Sequence, residues 1–180
     1  QIDLYPDLSP RLDAQKRDRH DRIIAKLIGF LSKPEETFQK YPRSNTAIAA
    51  KYARAIAFYR EGNLAKAIIA LDHLITLEKE NPYFWELKGQ ILLEKNEREM
   101  ARNAYEKAYS FSKDVIILQQ LAKVELSLNT QKSNNDALAY LEKAIRMTPG
   151  SSTTWKQLAI AQGRNGKIAL AKLSLAEEAL

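Results

Sequence analysis

PYFWELKGQILLEKNEREMARNAYEKA, residues 82–108, decides the fold. Numbered from Pro82, its Trp85, Gly89, Leu92, Ala101, Tyr105 and Ala108 stand at positions 4, 8, 11, 20, 24 and 27. Small residues at 8 and 20 let two antiparallel helices approach, and large ones at 4, 11 and 24 fill the space between them and against a neighbouring pair. The pattern recurs on both sides. From Ile48, Ala55, Phe58, Gly62, Leu64, Ala67 and Leu71 take positions 8, 11, 15, 17, 20 and 24. From Val115, Leu118, Leu121 and Ala122 take 4, 7 and 8, after which three extra residues within Asn129–Asn135 delay Ala137, Leu141, Ala144 and Pro149. From Ser152, Trp155, Leu158, Ala159, Gly166, Ile168, Ala171 and Leu175 take 4, 7, 8, 15, 17, 20 and 24.

Four units on one template predict an all-α array of helix-turn-helix repeats. The repeats cover residues 48–81, 82–114, 115–151 and 152–180, behind an N-terminal segment of residues 1–47 that packs on the array. Lys51 and Arg54 stand where the first repeat calls for large apolar side chains and Lys88 does so in the second, so neighbouring Tyr52 and Leu87 are expected to supply the bulk. Each inter-helix turn holds Gly or Asn: Gly62–Asn63, Asn96, Asn129–Asn135 and Asn165–Gly166, residues that tolerate the left-handed conformation ending a helix. The third turn, NTQKSNN, is long and polar and is expected to be the most mobile. Residues 1–10, with two prolines, read as an extended lead-in. Leu12 to Leu31 reads as a helix whose Ile23, Leu27, Phe30 and Leu31 form an apolar stripe, and Pro34 opens a short second helix that ends at Tyr41–Pro42.

Composition narrows the function. Six Gly and six Pro among 180 residues favour helix, and without cysteine there is neither disulfide nor thiolate chemistry. No apolar run reaches the length of a membrane span. His20 and His73 are the only histidines, and neither sits at metal-ligand spacing, so no cofactor or metal site is expected in this segment. The pairs Glu35–Glu36 and Glu177–Glu178 are adjacent and diverge on a helix, which excludes them as an acid/base couple. The net charge of +6 raises nucleic-acid binding, but the excess is spread along the chain and leaves no stripe to follow phosphates. The chain opens on Gln and closes on LSLAEEAL, and it is read as a piece of a longer protein. Its last helix bears Ile168, Ala171 and Leu175 on one stripe, which predicts a cover from a continuation or from a second copy.

The template resembles the tetratricopeptide repeat family, whose period is about 34 residues and whose arrays wind into right-handed superhelices. In that family the first helix of each unit lines a concave groove through positions 2, 5, 9, 12 and 13. The resemblance thus nominates Tyr52, Ile56, Tyr59 and Arg60, then Tyr83, Glu86, Gln90 and Leu93, then Gln119, Lys123 and Leu126, then Lys156, Ile160 and Arg164 as partner-binding residues. Lys123, Lys156 and Arg164 together would hold a peptide carboxylate. Tyr52 and Ile56 replace the residues that begin the Lys/Asn clamp of chaperone-binding members, which disfavours chaperone tails as ligands.

Four phrases narrow the match: RHDRIIAKLIGFL at 19–31, KYARAIAFYREGNLAKAI at 51–68, NPYFWELKGQILLE at 81–94 and TTWKQLAIAQGRNGKIALAKLSLAEEAL at 153–180. In order they resemble the C-terminal repeat region of bacterial periplasmic zinc metallopeptidases of the BepA-like type. The resemblance implies a non-catalytic recognition domain whose parent carries an HExxH peptidase domain with zinc. It also implies a periplasmic location and partners among the outer-membrane assembly machinery and its clients. The other readings are a stand-alone repeat adaptor or, more distantly, a nucleic-acid-binding helical repeat.

Overall fold

The computed structural model describes residues 9–179, all in helices and short connections. Ten helices follow in order: α1 Ser9–Leu31, α2 Pro34–Lys40, α3 Ile48–Arg60, α4 Leu64–Leu77, α5 Pro82–Glu94, α6 Arg98–Ser112, α7 Val115–Leu128, α8 Gln131–Met147, α9 Ser152–Arg164 and α10 Ile168–Glu178. The expected lead-in lies outside the described residues, except for its last two, which begin α1. The chain divides into two compact units, 1–79 and 80–180, so α1 and α2 share a unit with the first repeat pair.

In the first unit α1 packs along α3 on small residues. Ala25 is buried against Ala49 and Ala53. At Gly29 an added Cβ would lie 2.9 Å from the Cβ of Ile56, so only glycine permits this approach. The expected stripe therefore turns the other way: Ile23, Leu27 and Leu31 are exposed, Leu31 by 78%. Close approach between helices selects Ala and Gly, and the large side chains on the opposite side of α1 are left outward. Arg22 fixes the register by a two-pronged ion pair with Glu78 at the end of α4, one arm of 2.6 Å.

The residues that broke the template in this unit have structural employment. The Arg54 guanidinium donates to the carbonyls of Tyr41, Pro42 and Asn45 at 3.2, 2.9 and 3.0 Å, satisfying the acceptors beyond α2. Tyr52 supplies the missing bulk and is 4% exposed. Phe38 of α2 meets Phe58 of α3 with ring centres 5.0 Å apart. Between α3 and α4, Gly62 takes φ +80° and the Asn63 side chain accepts the Lys66 N–H at 3.2 Å, so one turn ends a helix and starts the next.

The second unit repeats the pair three times. Small meets large at Gly89 and Tyr105: an added Cβ on Gly89 would lie 2.9 Å from the Tyr105 ring, which is buried. Asn81, Asp114 and Ser151 cap α5, α7 and α9 with side-chain oxygens on backbone N–H groups. Leu126, Ala137, Leu138, Leu141, Leu158 and Ala161 form a buried cluster joining α7, α8 and α9.

The third turn departs from expectation. Only Asn129 and Thr130 separate α7 from α8, and QKSNN is the first part of a 17-residue helix. Thr130 and Ser133 cap one another reciprocally, the Ser133 N–H donating to Thr130 Oγ1 at 3.1 Å and the Thr130 N–H to Ser133 Oγ at 2.8 Å. Ser133 and Asn134 are buried, and the Asn134 carbonyl accepts from Asn165 Nδ2 at 2.9 Å. The three extra residues thus lengthen a helix instead of a loop.

Candidate functional site

On each repeat's first helix the nominated positions share a face, because residues three, four and seven apart lie on one side. In the first unit that face is already used. Tyr52 is 4% exposed and Ile56 fully buried, Ile56 beneath Gly29 of α1, while Tyr59 is half-buried. Arg60 donates to the Ser32 carbonyl at 2.5 Å, just past the end of α1. Tyr52 and Ile56 are therefore corrected from partner-binding residues to core: α1 lies where a ligand was expected.

In the second unit the face is partly open. On α5, Tyr83 is 53% exposed and Glu86, Gln90 and Leu93 are half-buried, with Gln90 Nε2 donating to Glu94 Oε1 at 3.4 Å. On α7, Gln119 Nε2 donates to Thr154 Oγ1 at 2.6 Å, which ties α7 to α9 and removes that amide from ligand duty. Leu126 is buried in the cluster described above, so it too is corrected to core. Lys123 is exposed. On α9, Ile160 is 43% exposed, and Lys156 is exposed with its Nζ 3.9 Å from Glu178 Oε1.

The expected three-cation cluster is not assembled. The Arg164 guanidinium donates to the Leu126 carbonyl in the last turn of α7, where a cation meets the negative end of the helix dipole. Arg98 does the same for the Ser127 carbonyl at 3.0 Å. Lys123 is exposed on α7, and Lys156 on α9 is exposed beside Glu178.

Two residues escaped the sequence reading. Ile116 is 56% exposed at position 2 of its repeat, the register that selected Tyr83, and it shares a face of α7 with Lys123 seven residues on. The same register points to it. Glu125 occupies position 11, where the first two repeats place Phe58 and Leu92, and it is 1% exposed. Its Oε2 has no hydrogen-bond partner and its Oε1 lies 4.0 Å from Arg102 Nε. Burial pushes its pKa up to about 7; Arg102 opposes the shift, and Asp136, Glu106 and Glu99 add to it.

Among the described residues no cluster of His, Asp and Glu is arranged to hold a metal, and no helix is long and apolar enough to cross a membrane. What the second unit offers chemically is non-covalent: aromatic and aliphatic contact from Tyr83, Ile116 and Ile160, with positive charge from Lys123 and Lys156.

Residues 82–114 match the family model described as the tetratricopeptide repeat. The chain has a tetratricopeptide-repeat fold. Solved structures agree: the tetratricopeptide-like arrangement superposes on the MamA RS-1 ArsTM double mutant with a TM-score of 0.74 at 16% identity, covering 89% of this chain and 92% of that one. MamA 41-end from Desulfovibrio magneticus RS-1 gives 0.73 at 16% identity, with the same coverages of 89% and 92%. Another MamA crystal structure gives 0.68 at 15% identity over 97% of this chain and 94% of that one. At these identities the likeness is one of fold. Among curated proteins, anaphase-promoting complex subunit 7 of Dictyostelium discoideum is 28% identical over 100 residues, 56% of this chain and 17% of that protein's length. A tetratricopeptide-repeat fold suggests a protein–protein interaction module.

Proposed function

We propose that the chain binds a protein segment rich in carboxylates and apolar side chains on the α5, α7 and α9 face of its second unit, and that it does so as the recognition arm of a periplasmic zinc-dependent metallopeptidase acting in outer-membrane protein quality control. The observation that carries the binding face is the exposure of Ile116 and Lys123 on α7 and of Lys156 and Ile160 on α9, two helices joined by the Gln119–Thr154 hydrogen bond. Cations beside apolar surface favour an acidic, partly apolar segment, since both terms act together on docking. The peptidase context rests on the sequence phrases at 19–31, 51–68, 81–94 and 153–180. Zinc and the HExxH residues belong, in this reading, to a catalytic domain in the parent protein.

A zinc-dependent protease assay compares this segment, its parent and a parent lacking the HExxH glutamate. Activity confined to the intact parent supports the reading; a parent that neither cleaves nor binds zinc overturns the peptidase context. The second reading, a stand-alone repeat scaffold, draws on the similarity to a subunit of a large assembly, the anaphase-promoting complex. It keeps the same binding face and dispenses with the peptidase.

A further inference from the structure

Two helices turn large apolar side chains to solvent in patterns that match end to end. On α1, whose inner side holds Ala25 and Gly29 against α3, the outer side carries Arg19, Ile23, Leu27 and Leu31 at four-residue intervals. Ile23 and Leu27 are 54% and 48% exposed, and Arg19 is exposed one turn before them. On α10, Ser174 is buried and hydrogen-bonded to Gln162 Oε1 at 2.8 Å, which fixes the inner side toward α9. Leu170 and Leu173, 47% and 58% exposed, and exposed Glu177 share a face at three- and four-residue intervals that flanks Ser174.

The rise of an α-helix makes the distances comparable. Leu27 to Arg19 spans about 12 Å along α1, and Leu170 to Glu177 spans about 10.5 Å along α10. Laid antiparallel, Leu27 meets Leu170, Ile23 meets Leu173 and Arg19 meets Glu177. The order of characters, basic then apolar on α1 and apolar then acidic on α10, suits only the antiparallel sense; a parallel pairing would set Arg19 against Leu170 and leave Glu177 over Leu27.

We propose that the outer face of α1 in one molecule docks antiparallel on the exposed Leu170, Leu173 and Glu177 face of α10 in a second copy of this chain. The two faces differ, so the contact is heterologous, and a bound pair still offers one free α1 face and one free α10 face, through which it adds further copies or closes on itself. The apolar pairs supply the attraction and the Arg19–Glu177 pair selects the direction.

Sedimentation velocity of the chain across a wide range of concentration tests this, with Leu27→Asp and Leu173→Asp as separate variants. Both side chains are about half exposed, and an unchanged circular-dichroism melt verifies that the fold persists. The wild type should show self-association that grows with concentration, and each variant alone should lose it and sediment as monomer. Mixing the two variants should restore a dimer and nothing larger, because each brings the one face its partner lacks. A wild type that stays monomeric at every concentration, a single variant that still assembles, or a mixture that stays monomeric overturns the proposal.

Discussion

Ile56 and Ile160 stand at the same place in their repeats, position 9 of the first helix, yet one is fully buried and the other 43% exposed. The difference is α1. In the first unit a helix from the chain itself lies over α3, seated on Ala25 and Gly29, with its Arg22 paired to Glu78 and the Ser32 carbonyl at its end accepting from Arg60 of α3. On α9 the corresponding face stays open. A repeat position therefore specifies a direction, and what lies in that direction decides whether the residue is core or contact.

The comparison breaks most sharply by truncating both residues. Ile56→Ala should destabilise the chain by about 2–5 kcal/mol, since it removes buried methyl groups and leaves a cavity beneath α1. Ile160→Ala should stay within about 0.5 kcal/mol, as expected for a surface substitution. Urea titration of both variants measures the contrast, and equal losses would show that α1 does not cover α3.

Gly29→Ala sharpens the same point from the other side. Its new methyl must displace Ile56, which should cost about 1–3 kcal/mol. At Gly163, also on α9, nothing lies within 4 Å of an added Cβ, so Gly163→Ala should be neutral or slightly stabilising in the same titration.

Glu125 gives the second unit a pH dependence. Its native pKa, raised to about 7 by burial, exceeds the ordinary carboxyl value. The native state holds this proton where the unfolded chain has released it, so its contribution is complete below about pH 4.5 and is lost as pH rises through about 7. Within that window the single site contributes a fall of up to about 1.4 kcal/mol per pH unit. Glu125→Gln should flatten this component and raise the melting temperature at pH 8, which thermal melts over a pH series would reveal.

Smallest in stability but decisive for binding are the lysines. Lys123→Gln with Lys156→Gln should leave the melting temperature unchanged and weaken an acidic partner. Arg164→Gln should instead cost about 1 kcal/mol by freeing the Leu126 carbonyl, with little effect on affinity.

Much of this was legible in the residues. The spacing of Trp85, Gly89, Leu92, Ala101 and Tyr105 encodes helix pairs because small-to-large contacts recur at fixed intervals, and the first helices of the four pairs, α3, α5, α7 and α9, begin where the template puts them. The stripe on α1 misled because Ile23, Leu27 and Leu31 obey helical spacing whichever side is buried, and the deciding residues were the small ones, Ala25 and Gly29. NTQKSNN reads as loop by composition, yet Thr130 and Ser133 are three residues apart and cap a helix. Arg164 sits in the groove register, but a long side chain is not bound to point where its Cβ does, and an unpaired carbonyl at the end of α7 drew it away. Ile116 needed only the template already in use.

The central claim is that the open face of the second unit, with Lys123 and Lys156, selects an acidic and apolar partner segment. Display of random peptides against the chain, followed by titration of the enriched sequences against wild type and the Lys123→Gln, Lys156→Gln variant, tests it directly. The account predicts enrichment of Asp or Glu beside apolar residues and at least tenfold weaker binding to the variant, about 1.4 kcal/mol. Enriched peptides without acidic residues, or equal affinity for both proteins, would contradict it.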